Sequence, residues 1–211
     1  MSSGVAWNED YADPDSDVSK AGSLIGVPLV GYLGTLERVA APGEKFNYNT
    51  GETNLVGEVL RAAIGNNAST YAQHKIWQAF GMGDDASWML GGIAGGETGG
   101  CCINATLRDY ARIGIFAMND GQLADGTRIL PEGFMAESVA PSKGYDGYGY
   151  LWWLDGGGVY RARGIYGQQI YINPNSRVVI AVHGNADQAV GTPYHAQLDA
   201  IVNAFADRLA R

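Results

Sequence analysis

Apolar residues recur at helical spacing through the first two thirds of the chain. The clearest case begins at Thr50 or Glu52 and ends before Gly65, a residue type suited to the left-handed conformation that follows many helices. At a later helix start, Thr106 and Asp109 have the spacing of a capping box. Further helices are predicted with the same signals at residues 28–39, 69–80 and 106–118, and a short one from Pro131.

After Gly147 the pattern changes to the alternation typical of strands. Strands are predicted at residues 148–154, 168–173 and 178–183, the last two joined by a hairpin connection at 173–176. A C-terminal helix is predicted from about Pro193, with one apolar stripe formed by Leu198, Ile201, Val202, Phe205 and Leu209. Helices followed by an antiparallel meander and a covering helix indicate an α+β fold rather than an alternating parallel α/β chain.

This change of pattern also suggests how the chain is organised. Residues 1–146 form a mainly helical and loop region, and residues 147–211 form antiparallel strands with the C-terminal helix. The length of 211 residues is ample for one domain with a core, or for two small ones.

Charge and hydropathy exclude several classes of function. With 22 acidic and 14 basic residues the net charge is −8, and no run of Lys and Arg is available to neutralise phosphates. We therefore expect neither a nucleic-acid partner nor a membrane-surface partner. No apolar stretch approaches the roughly 18 residues of a membrane-spanning helix. The first ten residues also lack the basic and then apolar segments of a signal peptide.

A glycine-dense loop occupies residues 91–102. It lacks the Gly-Lys-Ser/Thr ending of a phosphate-binding loop, so we expect its backbone to pack against a neighbouring element instead. The loop ends in Cys101 and Cys102, which are adjacent and cannot join distant segments. We expect a buried pair, and the sequence leaves its oxidation state open.

The acidic segment 13–17 resembles the beginning of a calcium-binding loop. An EF-hand would require Gly and Glu at the positions that Val18 and Leu24 occupy, so a solvated acidic turn is expected, without a metal. The three histidines, at positions 74, 183 and 195, have no metal-ligand spacing. The chain contains neither a Gly-x-Ser-x-Gly nor a Ser-x-x-Lys motif, and so no activated nucleophile is visible in it.

Five sequence blocks nevertheless point to one family. The blocks are the Met-Ser-Ser-Gly and Trp-x-Glu-Asp-Tyr-x-Asp-Pro stretch in residues 1–14, Tyr48-Asn49-Thr50 before its helix, the Thr-x-Arg-Asp-x-Ala-Arg-x-Gly helix in 104–114, the Trp-Trp strand in 147–153 and the Gly-x-x-Gly-Gln strand in 164–168. In this order they resemble the blocks of the serine hydrolases of the β-lactamase and penicillin-binding-protein superfamily. More narrowly, they are similar to class C β-lactamase-like esterases and 6-aminohexanoate-dimer hydrolases. Together they span essentially the whole chain.

The chain departs from this family in two respects. In the family the nucleophilic Ser and its Lys lie upstream of the first block, so the chain resembles the C-terminal two thirds of a member and an incomplete form of its fold. The position of Thr50 carries Ser or Asn in relatives, and Thr keeps the hydroxyl.

The resemblance implies a set of site residues. Tyr48 matches the tyrosine that shuttles the proton, which needs a neighbouring positive charge because an unperturbed phenol titrates near ~10. Lys45 is an alternative source of that charge, or a solvated loop lysine. The backbone N–H of Ile165, which is expected on one strand with Gly164 and Tyr166, matches half of an oxyanion hole. The remaining members, which would contact substrate, are Tyr11, Trp153, Gly164 and Tyr166.

Each assignment has a plainer structural alternative. Tyr48 is otherwise a buried aromatic near a helix start, and Tyr11 a surface residue of a loop. Because side chains alternate across a strand, only one of Trp152 and Trp153 can face the site, and we predict that it is Trp153.

The implied function is a part of a serine hydrolase that cleaves small esters, amides or β-lactam-like substrates by acyl transfer, with no cofactor. The alternative is a non-catalytic truncated relative that acts as a binding or assembly module. Missing family strands would leave a strand edge and an apolar sheet face uncovered. We therefore expect either a homodimer or a complementing N-terminal segment.

Overall fold

A computed structural model describes residues 1–92 and 95–210, so Ile93 and Ala94 of the predicted glycine-dense loop lie outside the described residues. The chain forms two compact units, each discontinuous in sequence, and each is described by itself. Unit 1 comprises Met1–Gln78, Ala86–Asn104 and Lys143–Tyr145. Unit 2 comprises Ala79–Asp85, Ala105–Ser142 and the chain from Asp146 onward.

Helices dominate the chain as far as residue 138. They are α1 (Asp17–Ala21), α2 (Val27–Leu33), α3 (Thr50–Ile64), α4 (Ala68–Ala72), α5 (Gln78–Phe80), α6 (Leu107–Met118), α7 (Phe134–Ser138) and, at the end of the chain, α8 (Pro193–Leu209). A π-helical turn, Gln73–Trp77, joins α4 to α5. None of the helices within the described ranges has the length and apolar character needed to cross a membrane.

The strands are short and antiparallel. They are β1 (Ser87–Trp88), β2 (Ile103–Asn104), β3 (Trp153–Gly156), β4 (Val159–Arg163), β5 (Gln169–Asn173) and β6 (Val178–Val182). In the described residues β1 pairs with β2, and the other strands form a sheet in the order β3-β4-β5-β6. The α+β class predicted from the sequence is confirmed.

The predicted helix ends are mostly correct where a capping residue is present. The Asn49 side chain accepts the N–H of Glu52 at the start of α3, and Gly65 ends that helix with a φ of 82°. Thr106 caps α6 through the N–H of Asp109.

Three predicted helices have other bounds. The helix expected at 28–39 ends at Leu33, and the short helix expected from Pro131 begins three residues later. The helix expected to start after Ser69 begins instead at Ala68, and it is interrupted by the π-helical turn.

The strand prediction was wrong in two places. The strand expected at 148–154 begins only at Trp153, and Val159–Arg163 was missed. The residues of β4 include Arg161 and Arg163, so β4 lacks the continuous apolar character that marks β5 and β6 in the sequence.

In unit 2 the central strands are covered by a helix on each face. Ile170 and Ile172 of β5 belong to a cluster that α6 covers, whereas Tyr171 packs with Val202 and Ala206 of α8. Successive side chains of a strand point to opposite faces, so the two helices lie on opposite sides of the sheet. Burial on both faces accounts for the near-continuous apolar run in β5.

A glycine in α6 permits the close packing of that helix on the sheet. A Cβ atom at Gly114 would lie 2.6 Å from Val179 and 2.8 Å from Ile170, shorter than real carbon contacts. In unit 1 the glycine-dense loop behaves similarly. A Cβ at Gly57 of α3 would lie 2.6 Å from Cα of Gly99, so the expectation of backbone packing for this loop is confirmed.

A fully buried carboxylate anchors the beginning of α6. Asp109 accepts the N–H groups of Gly83 and Asp84 at 2.8 and 3.1 Å, and it receives an Arg112 guanidinium N–H at 2.6 Å. Burial by itself would raise the pKa of Asp109, but these donors and the Thr106 hydroxyl outweigh it and lower the pKa from 3.8 to about 2.

Asp109→Asn is expected to lower the free energy of unfolding by about 3 kcal/mol at pH 7, because the amide offers one acceptor to several buried donors. A carboxyl whose pKa is lowered by folding stabilises the protein fully at pH values above its pKa in the unfolded state. This stabilisation is lost as the pH falls through its pKa in the folded state. The difference between wild type and variant should therefore shrink between pH ~4 and ~2. Denaturant unfolding across this pH range measures it.

The exposed Asp125 offers a matched control, since Asp125→Asn keeps an acceptor for the N–H of Thr127. Equal losses for the two variants at pH 7 would contradict the role assigned to Asp109.

Candidate active site

The Tyr48 motif lies directly before α3 in unit 1, and the residues on both sides of Tyr48 are fixed. The side-chain amide of Asn47 donates to the carbonyl of Trp7 at 3.1 Å, and the buried Asn49 caps α3. The Tyr48 side chain is half-buried rather than sealed in the interior. Its backbone is therefore held firmly while part of the ring stays accessible.

Tyr11 is brought next to this motif. Its hydroxyl donates to Oε1 of Glu9 at 2.5 Å and lies 3.4 Å from the hydroxyl of Thr50. Burial, followed by the hydrogen bond to Glu9, raises the pKa of Tyr11, although Thr50 lowers it in part. Tyr11 and Tyr48 are close enough for the charge of one to act on the other. Tyr11 therefore remains a neutral phenol at physiological pH.

Two further predicted features lie around the Tyr48 motif. The Lys45 side chain is exposed. The Thr50 hydroxyl donates to Oε1 of Glu9, and the Thr50 N–H donates to Oε2 of the same carboxylate at 3.0 Å. Thr50, the third residue of the Tyr48 motif, is thus held by the carboxylate of Glu9.

In unit 2, Gly164, Ile165 and Tyr166 lie in the turn between β4 and β5. The prediction of a strand at these positions was wrong, because β4 ends at Arg163 and β5 begins at Gln169. The Gln168 side chain accepts the N–H of Tyr166 at 3.1 Å, and this hydrogen bond stabilises the turn. The turn, rather than a strand, therefore presents the backbone of Ile165.

The carbonyl of Ile165 is held by two donors. It accepts the N–H of Val190 at 2.8 Å and lies 3.0 Å from Nε2 of His195. Because a carbonyl only accepts, Nε2 carries the proton, and in the neutral ring Nδ1 accepts the Thr192 hydroxyl at 2.7 Å. Within the described part of the chain, the N–H of Ile165 itself makes no hydrogen bond.

Trp152 and Trp153, the latter the first residue of β3, lie in different surroundings. Trp152 packs on the cluster under α6 and meets Tyr160 edge to face with ring centroids 5.2 Å apart. Trp153 meets the buried Tyr148 edge to face at 4.9 Å, and Tyr166 is exposed in its turn. The choice of Trp153 for the acyl pocket remains a prediction.

An ion-pair network built around one buried arginine lies on the α8 face of the sheet, and sequence reasoning missed it. Arg161 of β4 is only 3% exposed and contacts Asp155 and Asp199. Arg163 adds a bidentate contact to Asp199 at 2.9 Å. Burial would raise the pKa of Asp199, but Arg163 and Gln169 outweigh it and lower the pKa. The network joins β3, β4 and α8, and thereby fixes the base of the turn that carries Ile165.

The two cysteines form a disulfide between adjacent residues. The expectation of a buried pair was wrong, because Cys101 is exposed and Cys102 is half-buried. Cys102 adopts a φ of 102°, a conformation that favours glycine. The carbonyl of Cys101 accepts the Trp88 indole N–H at 3.1 Å, so the pair is tied to β1 within unit 1.

No cluster of His, Cys, Asp and Glu in residues 1–92 and 95–210 has the arrangement of a metal site. The segment at 13–17 forms a turn followed by α1, in which Asp17 accepts the Tyr32 hydroxyl at 2.6 Å. The histidines have other partners. His74 contacts Gln78, and His183 meets Tyr110 edge to face.

Comparison with known proteins assigns the family. The family described as Beta-lactamase matches residues 1–204. The chain belongs to the beta-lactamase family. A 6-aminohexanoate-dimer hydrolase of Paenarthrobacter ureafaciens is 25% identical over 204 residues, which cover 85% of the chain and 51% of that protein. The chain therefore spans about half the length of this relative.

Solved structures support the same fold. A Bacillus anthracis protein described as a 6-aminohexanoate-dimer hydrolase matches with a TM-score of 0.72 and 23% identity, over 97% of the chain and 50% of its own length. A penicillin-binding protein of Bacillus halodurans matches with a TM-score of 0.65 and 19% identity, over 97% of the chain and 70% of its own length. The beta-lactamase and penicillin-binding-protein fold predicted from the five blocks is confirmed.

Two residues with clear contacts to the predicted site were missed from the sequence. Glu9 stands in the first matching block, and its position two residues before Tyr11 was the available signal. His195 offered no comparable signal, because it lies thirty residues from Ile165 and its role depends on how α8 folds back.

His195→Ala should loosen the turn that carries Ile165. Loss of one hydrogen bond of about 1 kcal/mol predicts roughly fivefold faster hydrogen exchange of the Val190 amide, which shares the Ile165 carbonyl. Hydrogen-exchange mass spectrometry of residues 164–168 and 186–192 measures the effect. His74→Ala removes an exposed imidazole of unit 1 and is the control. Equal exchange in the two variants would exclude this role for His195.

Proposed function

We propose that the chain is part of a serine hydrolase that cleaves small esters, amides or β-lactam-like substrates by acyl transfer. The observation that carries the proposal is the family match over residues 1–204. The half-buried Tyr48, fixed at the start of α3, supports it. The 211 residues hold no Ser-x-x-Lys, so the seryl nucleophile belongs to polypeptide outside them.

In this reaction the seryl oxygen attacks the substrate carbonyl and gives up its proton. Tyr48, as the phenolate, would accept that proton and then deliver it to the leaving alcohol or amine, so that an acyl-enzyme forms and water then releases it. The phenolate form requires a neighbouring positive charge, which the lysine of the missing motif would supply.

Tyr11 is unsuited to the same proton transfer. Its proton is already donated to Glu9, and its pKa is raised by burial. Of these two phenols, Tyr48 is therefore the one proposed to move a proton, and Tyr11 is proposed to contact substrate.

Ile165 would act through its backbone. Its N–H has the donor chemistry that an oxyanion requires, and the two bonds to its carbonyl fix the orientation of the peptide groups around it. Gly164, Tyr166 and Trp153 are proposed to line the acyl pocket.

Tyr48→Phe should reduce kcat for a p-nitrophenyl ester by roughly 10²- to 10⁴-fold in the hydrolase polypeptide that includes the Ser-x-x-Lys segment, because it removes the proton carrier. Tyr71→Phe changes an exposed phenol elsewhere in unit 1 and should leave the rate unchanged. Equal rates for the two variants would refute the role of Tyr48.

A non-catalytic binding or assembly module is the alternative, favoured by the absence of Ser-x-x-Lys from these 211 residues. For the 211 residues alone, both proposals predict no ester turnover above that of Tyr48→Phe. Turnover above this variant would reject the binding-module proposal for the chain itself. A polypeptide that includes Ser-x-x-Lys and still shows no turnover would reject the hydrolase.

We further propose that the remainder of the family fold covers one surface of unit 2. In the described residues no strand pairs with the outer edge of β6. Only part of the apolar stripe predicted on α8 is buried. Val202 lies in the core, whereas Ile201, Phe205 and Leu209 are 53%, 58% and 60% exposed. An open strand edge beside an apolar helix face fits an added strand and helix.

The lengths of the relatives favour coverage of this surface by the remainder of the family fold rather than by a second copy of the chain. The two 6-aminohexanoate-dimer hydrolases that match are about twice as long as the chain. The remainder of the fold is therefore the segment expected to complete the sheet, whether the same polypeptide or another carries it.

The isolated 211 residues should self-associate at micromolar concentration, because this surface is uncovered. The double change of Ile201 and Phe205 to Glu should reduce the association at least several-fold, as measured by light scattering. Val39→Glu, at another exposed apolar position, is the control. A monomeric wild type, or a reduction shared by the control, would contradict the proposed surface.

A further inference from the structure

One carboxylate gathers four donors beside the Tyr48 motif. Oε1 of Glu9 accepts the hydroxyls of Tyr11 and Thr50, and Oε2 accepts the indole N–H of Trp7 and the backbone N–H of Thr50. A carboxylate has about four lone-pair positions, so every acceptor position of Glu9 is occupied. Trp7 is itself buried, which keeps water away from one side of the group.

The same carboxylate contacts the start of α3. Thr50 is the first residue of that helix, and its N–H is one of the groups that a helix leaves without an internal partner. A negative charge at this end is also favoured by the helix dipole. Asn49 caps the next part of the same turn through the N–H of Glu52. Glu9 and Asn49 together therefore fix the backbone to which Tyr48 is attached.

Glu9 also determines where two hydroxyl protons point. The Tyr11 and Thr50 hydroxyls both donate to Oε1, so only lone pairs of their oxygens remain for other contacts. Neither hydroxyl can then give a proton to a substrate. The carboxylate thus separates the neighbouring phenols by role, because it removes Tyr11 from proton transfer.

We infer that Glu9 is a positioning residue of the hydrolase, which orients the Tyr11 hydroxyl and fixes the start of α3 behind Tyr48. The inference rests on the proposed function and adds to it a residue that touches neither the seryl oxygen nor the carbonyl. Glu9 acts through the hydroxyls of Tyr11 and Thr50. Replacing Glu9 should therefore have little effect on the rate in a variant that already lacks both hydroxyls.

Glu9→Gln is the variant that tests these contacts. The carboxylate has two acceptor oxygens, whereas the amide has one acceptor oxygen and one NH₂ group, which only donates. In Glu9→Gln the NH₂ group would therefore replace one oxygen and point at groups that are themselves donors. In the 211 residues, the indole ¹⁵N–¹H signal of Trp7, assigned with Trp7→Phe, should shift and exchange faster with water. Asp10→Asn changes the neighbouring exposed carboxylate and keeps its acceptor for the N–H of Ala12. This control should leave the Trp7 signal in place.

Kinetics then test the positioning role in the polypeptide that includes the seryl segment. Glu9→Gln should lower kcat/KM for an ester roughly 10- to 100-fold, as expected for loss of hydrogen bonds to a charged group. Asp10→Asn should stay within about twofold of wild type. In a Tyr11→Phe, Thr50→Val background, Glu9→Gln should cost less than about threefold, because the two hydroxyls it orients are gone.

The possible results separate the inference from the proposed function. An active wild type with equal rates for Glu9→Gln and Asp10→Asn, or an undiminished effect in the double-variant background, would overturn the positioning role alone. An inactive wild type would overturn the hydrolase and the positioning role together. Should Glu9→Gln fail to fold, Thr50→Val alone removes one donor from the intact carboxylate, and an unchanged rate there would also count against the inference.

Discussion

Burial of the β4–β5 hairpin on both faces is the constraint on which unit 2 depends. Because β5 contributes apolar side chains to the clusters under both α6 and α8, neither helix can shift without exposing part of the core. The hairpin turn at residues 164–168 is therefore held at its ends by the sheet and at its centre by His195 of α8. In the proposed hydrolase, a backbone N–H placed in this way would be oriented before substrate arrives, which is the condition for useful oxyanion stabilisation.

In both units, a carboxylate near the start of a helix accepts hydrogen bonds at all of its acceptor positions. Asp109, in the first turn of α6, receives the backbone N–H groups of Gly83 and Asp84, and Glu9 receives the first N–H of α3. Both are charge-assisted hydrogen bonds, which are stronger than neutral ones, and at Glu9 they also cap a helix. In unit 1 the same physical device serves the proposed chemistry, because Tyr48 immediately precedes the capped turn.

Local signals explain what could be predicted from the sequence. The cap at Thr106, the glycine after α3 and the β-branched run of β6 each act within a few residues, and each gave a correct element. The turn at Ile165 and the missed β4 depended on pairing between strands, which local pattern does not encode. His195 was missed because its partner Ile165 comes close only after the chain folds back. The contact of Glu9 with Tyr11 is local, but its contacts with Thr50 also depend on how the chain folds.

The family match and the fold are established, and the chemistry at Tyr48 is the central claim to test. The most direct measurement is the intact mass of the polypeptide that includes the Ser-x-x-Lys segment after incubation with a fluorophosphonate. We expect one stoichiometric adduct on the seryl oxygen, formed much more slowly in Tyr48→Phe. The absence of an adduct in the folded polypeptide, or equal labelling of wild type and Tyr48→Phe, would contradict it.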